Sequence, residues 1–428
     1  MVRTWHGSRE RLGTPRVKLL IIPAAYPHAA AEWTGIFNEQ STLALQQIVQ
    51  HVEVLSPRPY APRFLTFNDR WKAHIVAPKS HLRRGIRIHR PAYPRVPGIL
   101  RGFWSTTAAY VFSRRLATAL HREIRFDAIV SFDLAGAGGL AWRLGRRLGI
   151  RSSGWATGSD IRWGPNSGVG RSVRKTLERL DFVFYQTSEL KVLAAHLLGI
   201  DAAALSEQRH IVQARGVSEP SSLPLADVRS SVRERLGLSD HHLMILYIGR
   251  IAREKGLFDL ADVFAKWGTR HPDLAVIFVG ARPGHDETDL LRRRVDSLGG
   301  RIRILPGCPH DEVWNYLSAA DIFVFPSFKE GMPNSLLEAM LARLPSVAFG
   351  IPCVQEIVTF GNGLLSVAPY DFEQFGDAIL TLAANESLRR EIGERGRAIA
   401  SEHFSLQRSM RTVVAHLATK SKPEAVTL

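Results

Sequence analysis

Two segments of the sequence place charged side chains where they can hold a doubly charged oxyanion. The first is Gly249-Arg250-Ile251-Ala252-Arg253-Glu254-Lys255-Gly256, which puts two cations five residues apart. It directly follows the apolar run Leu243–Ile248, and open α/β sheets bind ligands at the carboxyl ends of such strands. Gly249 lets backbone come close, Arg250 offers a planar donor fork, and Lys255 offers a point charge on a flexible stem. The other reading of these residues is a solvated loop in which Glu254 pairs locally. The second segment is Phe328-Lys329-Glu330-Gly331-Met332-Pro333-Asn334-Ser335-Leu336-Leu337-Glu338. Gly331 and Pro333 impose a loop, and Asn334 or Ser335 is suited to cap the helix that Leu336 begins. Free N–H groups and the positive end of the dipole make such a helix start an anion site. Glu330 and Glu338 border it. A carboxylate opposes a phosphate, so these two suit sugar or ribose hydroxyls.

The elements around these segments alternate between strand and helix. Val17–Ile22, closed by Pro23, reads as a strand that leads through a loop to a helix from Gly35 to about Gln50; Leu243–Ile248 leads to a helix from Gly256 to Gly268. Each half thus opens like a Rossmann-type unit. Further strands are expected at 126–132, 182–187, 274–279, 301–305, 321–325 and 346–349. Helices are expected at 188–198, 310–319 and 335–342, with helical periodicity at 139–148. The alternation predicts α/β architecture with mostly parallel sheets in two domains. The Ser- and Pro-containing stretch 218–240 reads as the linker between residues 1–217 and residues 241–405.

Composition excludes several classes. The chain has 428 residues with 45% hydrophobic and 22% charged residues, too large for a stapled module and too apolar for a disordered chain. Two cysteines, Cys308 and Cys353, allow one disulfide at most and match no metal-ligand spacing. No secretory signal and no apolar run long enough to span a bilayer is present, so a cytoplasmic location is expected.

Charge is distributed unevenly. Residues 1–217 carry 32 Lys and Arg against 14 Asp and Glu, whereas the remainder carries 24 against 26. A basic half suits an anionic partner, or it reflects an arginine-rich composition alone. Within it, 81–125 mixes arginines with Ile99, Leu100, Phe103, Trp104, Tyr110 and Phe112. That mixture fits peripheral contact with an anionic membrane, and it also fits a core-packed helix with a solvated basic face. Known nucleic-acid-binding patterns are missing, so no nucleic acid partner is expected.

Taken in order, GRxxxEKG at 249–256, Pro309-His310 with Glu312-Val313, AADIFVFPS at 319–327, and Glu330 to Glu338 within EGMPNSLLEAM resemble retaining glycosyltransferases of the GT-B fold, glycosyltransferase family 4. Leu344-Pro345, Glu356-Ile357-Val358 and Gly361–Leu365 extend the resemblance, which is dense over 240–405. In the first half Tyr26-Pro27 with Gly35-Ile36-Phe37 and Gln40 resembles the family's first loop, and Gly158-Ser159-Asp160 is similar to its HGxD-type segment. The chain departs from the family at Gly350–Glu356, which has one glycine rather than two. It has Arg215-Gly216-Val217 in place of Asn-Gly-Val, and no histidine in Ile129–Phe132.

The resemblance implies two Rossmann-like domains with a cleft between them, the final helix crossing back so that 406–428 packs on the first domain. It implies transfer of a sugar, with retention, from a nucleotide-diphosphate sugar to a glycan or lipid-linked acceptor, without metal or other cofactor. Glu330, Arg250 and Lys255 would be the catalytic residues. The donor would meet Gly35, Gly249, Arg250, Lys255, Cys308, Pro309, Glu330, Gly331, Met332, Asn334, Ser335, Leu336 and Glu338, with Glu338 at the ribose and the base against Gly307-Cys308-Pro309. Asp133, which follows the strand at 129–132, and Asp160 are the acceptor candidates; Asp133 also suits a turn or cap. A nucleotide-sugar epimerase on the same architecture is the alternative.

Overall fold

The computed structural model describes residues 17–418, apart from 30–31, 33, 61–75, 95–100, 221–225, 268–269, 282–285 and 299–301. Two sheets organise it. The first is built from β1 (Lys18–Ile22), β2 (His51–Leu55), β4 (Ser80–Arg83), β5 (Ile86–His89), β7 (Ala128–Ser131), β8 (Arg151–Ala156), β9 (Phe182–Tyr185) and β10 (His210–Val212), in the order β10-β9-β8-β7-β1-β2-β5-β4. All its pairings are parallel except β4 with β5. The short strands β3 (Arg58–Pro59) and β6 (Ala92–Tyr93) pair beside it. The second sheet, β11 (Leu243–Ile248), β12 (Leu274–Ala281), β13 (Ile302–Pro306), β14 (Ile322–Phe325), β15 (Ser346–Phe349) and β16 (Leu365–Val367), is wholly parallel in the order β13-β12-β11-β14-β15-β16.

Helices cover both faces of each sheet. Those of the first part are α1 (Ile36–Gln46), α2 (Arg101–Ile124), α3 (Ala137–Leu148), α4 (Gly168–Arg179) and α5 (Ser188–Leu198). The second part has α6 (Ala226–Arg235), α7 (Leu257–Trp267), α8 (Asp286–Ser297), α9 (His310–Ala319), α10 (Asn334–Leu341), α11 (Pro352–Val358), α12 (Phe372–Ala384) and α13 (Glu386–His403), and α14 (Leu406–Ala418) ends the described chain. The two-sided cover explains why β1 is continuously apolar. Leu20 and Ile22 enter one core, and Leu19 and Ile21 enter the core on the opposite face. β8, RSSGWA, carries a glycine where its neighbours leave no room: a Cβ on Gly154 would lie 2.6 Å from Leu180 Cδ1 and 2.8 Å from Leu134 Cδ2.

The chain crosses between the two halves twice at one place. Val217 N–H donates to Phe404 O at 2.9 Å, and Leu406 N–H donates to Val217 O at 3.0 Å. Gly216 sits there at φ 76°, and a Cβ on it would come within 2.2 Å of Phe404 O, so only glycine fits. α14 then returns to the first half, burying Leu406, Met410, Val413, Val414 and Leu417 at helical spacing in the core beside β1. At about 1.5–3 kcal/mol for each buried side chain, that face anchors the helix firmly. Residues 419–428 of the expected tail lie outside the described residues.

The stretch 218–240, expected as a linker, is largely part of the second half. α6 lies within it, and Val232, Leu236 and Leu238 enter the second core. Arg233 donates to Asp321 Oδ2 at 3.1 Å and to the carbonyls of Ala319, Ser239 and His242. The Ser and Pro residues that suggested a connector stand before this helix, and 221–225 lie outside the described residues. Segment 81–125 contains β5 and α2. α2 buries Thr106, Ala109, Ser113 and Ala117, and it leaves Val111, Phe112, Arg115 and Arg122 exposed; Ile99 and Leu100 lie outside the described residues. No described helix is long and apolar enough to cross a membrane.

Candidate functional site

Strand order reverses at β1 in the first sheet and at β11 in the second, and each reversal opens a crevice at the carboxyl ends of the strands. The loops after β1, β7, β8, β11 and β14 therefore face one another across a common cleft. Most of the residues singled out from the sequence lie on those loops.

On the second-half side, Lys255 ends a short turn after β11, and its Nζ donates to Glu330 Oε1 on the loop after β14. Two residues 75 positions apart are thus joined into one charged pair, mostly shielded from water. Arg250 behaves differently. Its guanidinium donates to Glu254 Oε1, the local pairing, and is 57% exposed, so its fork points along its own loop. Backbone geometry fixes the loop: Tyr247 Oη donates to Arg250 O at 3.0 Å, and a Cβ on Gly249 would lie 2.7 Å from Tyr247 Oη. Gly256, at φ 68°, packs against Pro326 of the β14 loop.

α10 begins beside Glu330, but its cap differs from expectation. Pro333 occupies the N-cap position and no side chain caps the helix; Asn334 is the first helical residue, with Ser335 and Leu336 behind it in the first turn. Asn334 Oδ1 is buried without a hydrogen-bond partner. Asn334 N–H donates to Met332 O at 3.1 Å, so the N–H groups of Ser335 and Leu336 are the ones that remain available to a ligand.

Glu338, one turn into α10, is buried, and its Oε1 accepts from His310 Nε2 at 2.8 Å. Across the cleft, Gln40 Nε2 of α1 lies 3.0 Å from His310 Nδ1 and 3.3 Å from its Nε2, and the bond to the Glu338 carboxylate places a proton on Nε2. The relay Gln40–His310–Glu338 joins both halves. His310 was quoted only as part of a sequence pattern; its partners are 270 and 28 residues away and leave no local signal. Cys308 and Pro309 precede it. Both cysteines are free thiols, and burial with Glu312 nearby pushes Cys308 up to about 11, so its neutral form prevails. Pro309 caps α9.

The first half supplies the opposite wall. Gly35 starts α1 at φ 81°, where a Cβ would clash with Ala25 O at 2.3 Å. Asp133 accepts from the N–H groups of Ala135 and Gly136, as a turn-forming aspartate does. Asp160 is buried and gives both carboxylate oxygens to backbone: Oδ2 accepts from Leu134 N–H at 3.0 Å, and Oδ1 from Thr157 and Gly158 N–H at 2.9 Å each. Burial and the neighbouring Asp160 carboxylate push Asp133 up to about 6, and burial also raises Asp160. Asp160 thus builds the loop after β8.

A cavity of about 500 Å³ lies between these walls, lined from the first half by Gly35, Asn38, Asp133, Asp160, Trp163, Gln186 and Arg215, and from the second by Met332 and Asn334. Trp163 is 46% exposed within it. Arg215 is buried against the Phe132 ring and donates to Asn38 Oδ1 at 2.9 Å, and burial lowers it to about 10. Sequence reading noted Arg215 only as a departure and missed Trp163, Asn38 and Gln186. Among the described residues no cluster of three or more His, Cys, Asp or Glu is placed to hold a metal ion.

Comparisons with known proteins agree with this geometry. Residues 228–399 match the family model described as Glycosyl transferases group 1. TuaC of Bacillus subtilis, a glycosyltransferase named for teichuronic acid biosynthesis, is 27% identical over 383 residues, covering 88% of this chain and 92% of TuaC. Among solved structures, sucrose-phosphate synthase from Thermosynechococcus elongatus superposes with a TM-score of 0.70 at 20% identity, covering 93% of this chain and 98% of that one. HepE of Anabaena, solved with UDP, superposes with a TM-score of 0.68 at 17% identity over 94% of this chain and 100% of HepE. The chain has the GT-B fold, and residues 228–399 are similar to the group 1 glycosyl transferase domain.

Proposed function

We propose that this glycosyltransferase is a retaining member of glycosyltransferase family 4, and that it moves a sugar from a nucleotide-diphosphate sugar to a glycan or lipid-linked acceptor at the cytoplasmic face of the membrane. The product would be a cell-surface polysaccharide or glycolipid, in keeping with the name of TuaC. UDP bound to HepE, a fold neighbour, supports a nucleotide donor. One observation carries the reading: the uncapped start of α10 lies beside the Lys255–Glu330 pair, at the carboxyl ends of β11 and β14. An oxyanion site thereby adjoins two carboxylates suited to hydroxyl groups.

In this reading the diphosphate takes the N–H groups at Ser335 and Leu336, with the Asn334 side chain and Lys255 beside it and Arg250 swung in from Glu254. Gly249 and Gly331 let backbone approach, and Gly35 brings the start of α1 to the far side of the diphosphate. Charge grows on the leaving phosphate as the bond to the anomeric carbon breaks, and these fixed donors stabilise it. Glu330, released from Lys255 by the competing phosphate, accepts donor-sugar hydroxyls and faces the positive charge that develops on the ring. Glu338, held by His310, accepts the ribose hydroxyls, and Cys308-Pro309 lies against the base. The acceptor enters the cavity at Asp133, on the loop after β7, beside Asp160 on the loop after β8. Its oxygen attacks from the face that the phosphate leaves, and its proton passes to the departing phosphate oxygen. No metal is required, because protein cations and N–H groups supply the positive field.

Purified protein incubated with UDP-, GDP- and ADP-sugars tests this, with and without lipid extract and with and without EDTA. Release of nucleoside diphosphate that rises with extract and ignores EDTA is the expected outcome. Isomerised donor without acceptor would instead identify an epimerase.

A further inference from the structure

The loop that carries Glu330 is held from two domains at once. Its side chain is fixed by Lys255 of its own half. Its main chain is fixed from the other half: Arg162 Nη2 donates to Glu330 O at 3.0 Å. Arg162 is itself immobilised, because Nη1 and Nη2 donate to Glu189 Oε1 and Oε2 at 2.7 Å each, the two-bond arrangement that a planar guanidinium and a carboxylate form together. Glu189 lies in the first turn of α5, a rigid base, and Arg162 is only 15% exposed. The backbones touch beside this contact. A Cβ on Gly158 would lie 2.9 Å from Gly331 Cα, and one on Gly331 would lie 1.9 Å from Thr157 O. The loop after β8 thus docks on the residues that present Glu330 to the cleft.

We infer that Arg162 is a positioning residue for the transfer, reaching across the cleft to fix the Glu330 carbonyl so that domain closure and placement of the Glu330 carboxylate against the donor sugar become one event. The inference rests on the role proposed above for Glu330. It assigns Arg162 no contact with substrate, and the diphosphate contacts proposed on the second half do not involve it. Removing Arg162 leaves the donor site chemically intact and frees the loop. Misplacement of a reacting group by about 1 Å costs on the order of a hundredfold in rate.

Two measurements decide it. In the first, Arg162→Ala lowers kcat by on the order of a hundredfold, with donor KM within about threefold of wild type and UDP, GDP or ADP binding unchanged. Arg162→Lys, which can make one bond but not the two-bond fork, recovers part of the loss. Arg162→Ala combined with Glu330→Gln is no slower than Glu330→Gln alone, because both changes act on one placement. Independent, multiplying losses, or an activity loss that merely follows a fall in melting temperature, would overturn the inference. In the second, small-angle X-ray scattering compares wild type with Arg162→Glu, which sets a carboxylate against Glu189 and the Glu330 carbonyl. A larger radius of gyration is expected, and an unchanged one overturns the inference even in a chain that transfers no sugar. If wild type releases no nucleoside diphosphate from any donor, the transferase reading fails, and scattering alone then decides whether Arg162 holds the cleft closed.

Discussion

In the proposed transfer Glu330 is the residue on which the chemistry turns, because its carboxylate adjoins the proposed phosphate site. An acid there opposes the diphosphate and is useful only against the positive charge that develops on a sugar ring. Glu330→Gln keeps the size and the hydrogen bonding to hydroxyls but removes the charge, so kcat is expected to fall by about 100- to 1000-fold, the scale of a preorganised electrostatic contact. Steady-state rates of nucleoside diphosphate release check this, and a variant with full activity would remove Glu330 from its role. Asp133 carries a different kind of information. Its folded value of about 6 lies above the roughly 3.9 of an unfolded chain. Between about pH 4 and pH 6 the folded chain therefore holds a proton that the unfolded chain has lost, and stability falls as pH rises through that window before levelling off. Asp133→Asn keeps an oxygen for the N–H groups of Ala135 and Gly136 and removes the half-buried charge. A melting temperature raised by about 2–4 °C at pH 7.5, with a weaker pH slope below 6, is the expected result. Melting curves of the two proteins across pH 4–8 decide it, and a lowered melting temperature at pH 7.5 would contradict the assignment.

At the scale of elements, the cleft depends on loops that leave strands at a topological reversal and on a helix that starts without a cap. Gly331 stands just ahead of α10 and touches Thr157 of the opposite half, with no room for a methyl group. Gly331→Ala should therefore keep the halves from closing fully, lowering kcat/KM at least about tenfold while the melting temperature stays near wild type, since neither core is disturbed. Kinetics alongside calorimetry check it; unchanged kinetics would mean that the contact is dispensable. Much of this level was legible in the sequence. β11, α5, α9 and β15 occupy the residues that apolar runs and helical periods assigned to them, and the Lys255 and Glu330 loops fall at strand ends, because a buried parallel strand followed by glycine writes a strong local signal. β8 was not legible, since RSSGWA lacks a β-branched run and its Gly154 is dictated by Leu134 and Leu180 across the packing rather than by strand propensity. α6 was read as linker because Ser and Pro precede it, whereas its burial is decided by the distant Asp321. The partners of Arg162, His310 and Arg215 leave no local pattern, for they lie tens to hundreds of residues away. The helix start at α10 was placed within one residue, yet its missing cap depends on Pro333 backbone geometry that no residue preference announces.

The whole molecule pairs a neutral half that holds the proposed donor site with a half carrying 32 cationic against 14 anionic side chains. Fold and sugar chemistry do not require that imbalance, since the proposed diphosphate contacts lie mostly on the neutral side. A lipid-linked acceptor would account for it. α2 presents Val111 and Phe112 to solvent next to Arg115, and Arg122 follows two turns on, so apolar and cationic groups share an outer face of the basic half. Such a face gains from burying apolar area among headgroups and from attraction to anionic lipid, and the second contribution is screened by salt. The protein is expected to co-sediment with vesicles containing phosphatidylglycerol at about 0.05 M NaCl and to release at about 0.5 M, with little binding to neutral phosphatidylcholine vesicles. Phe112→Glu combined with Arg115→Glu should abolish the binding while leaving soluble nucleoside diphosphate release from donor alone unchanged, because α2 lies outside the proposed donor site. Binding that ignores salt, or that survives both substitutions, would show that the basic half meets some other anion, and the acceptor would then have to be sought in solution rather than at a bilayer.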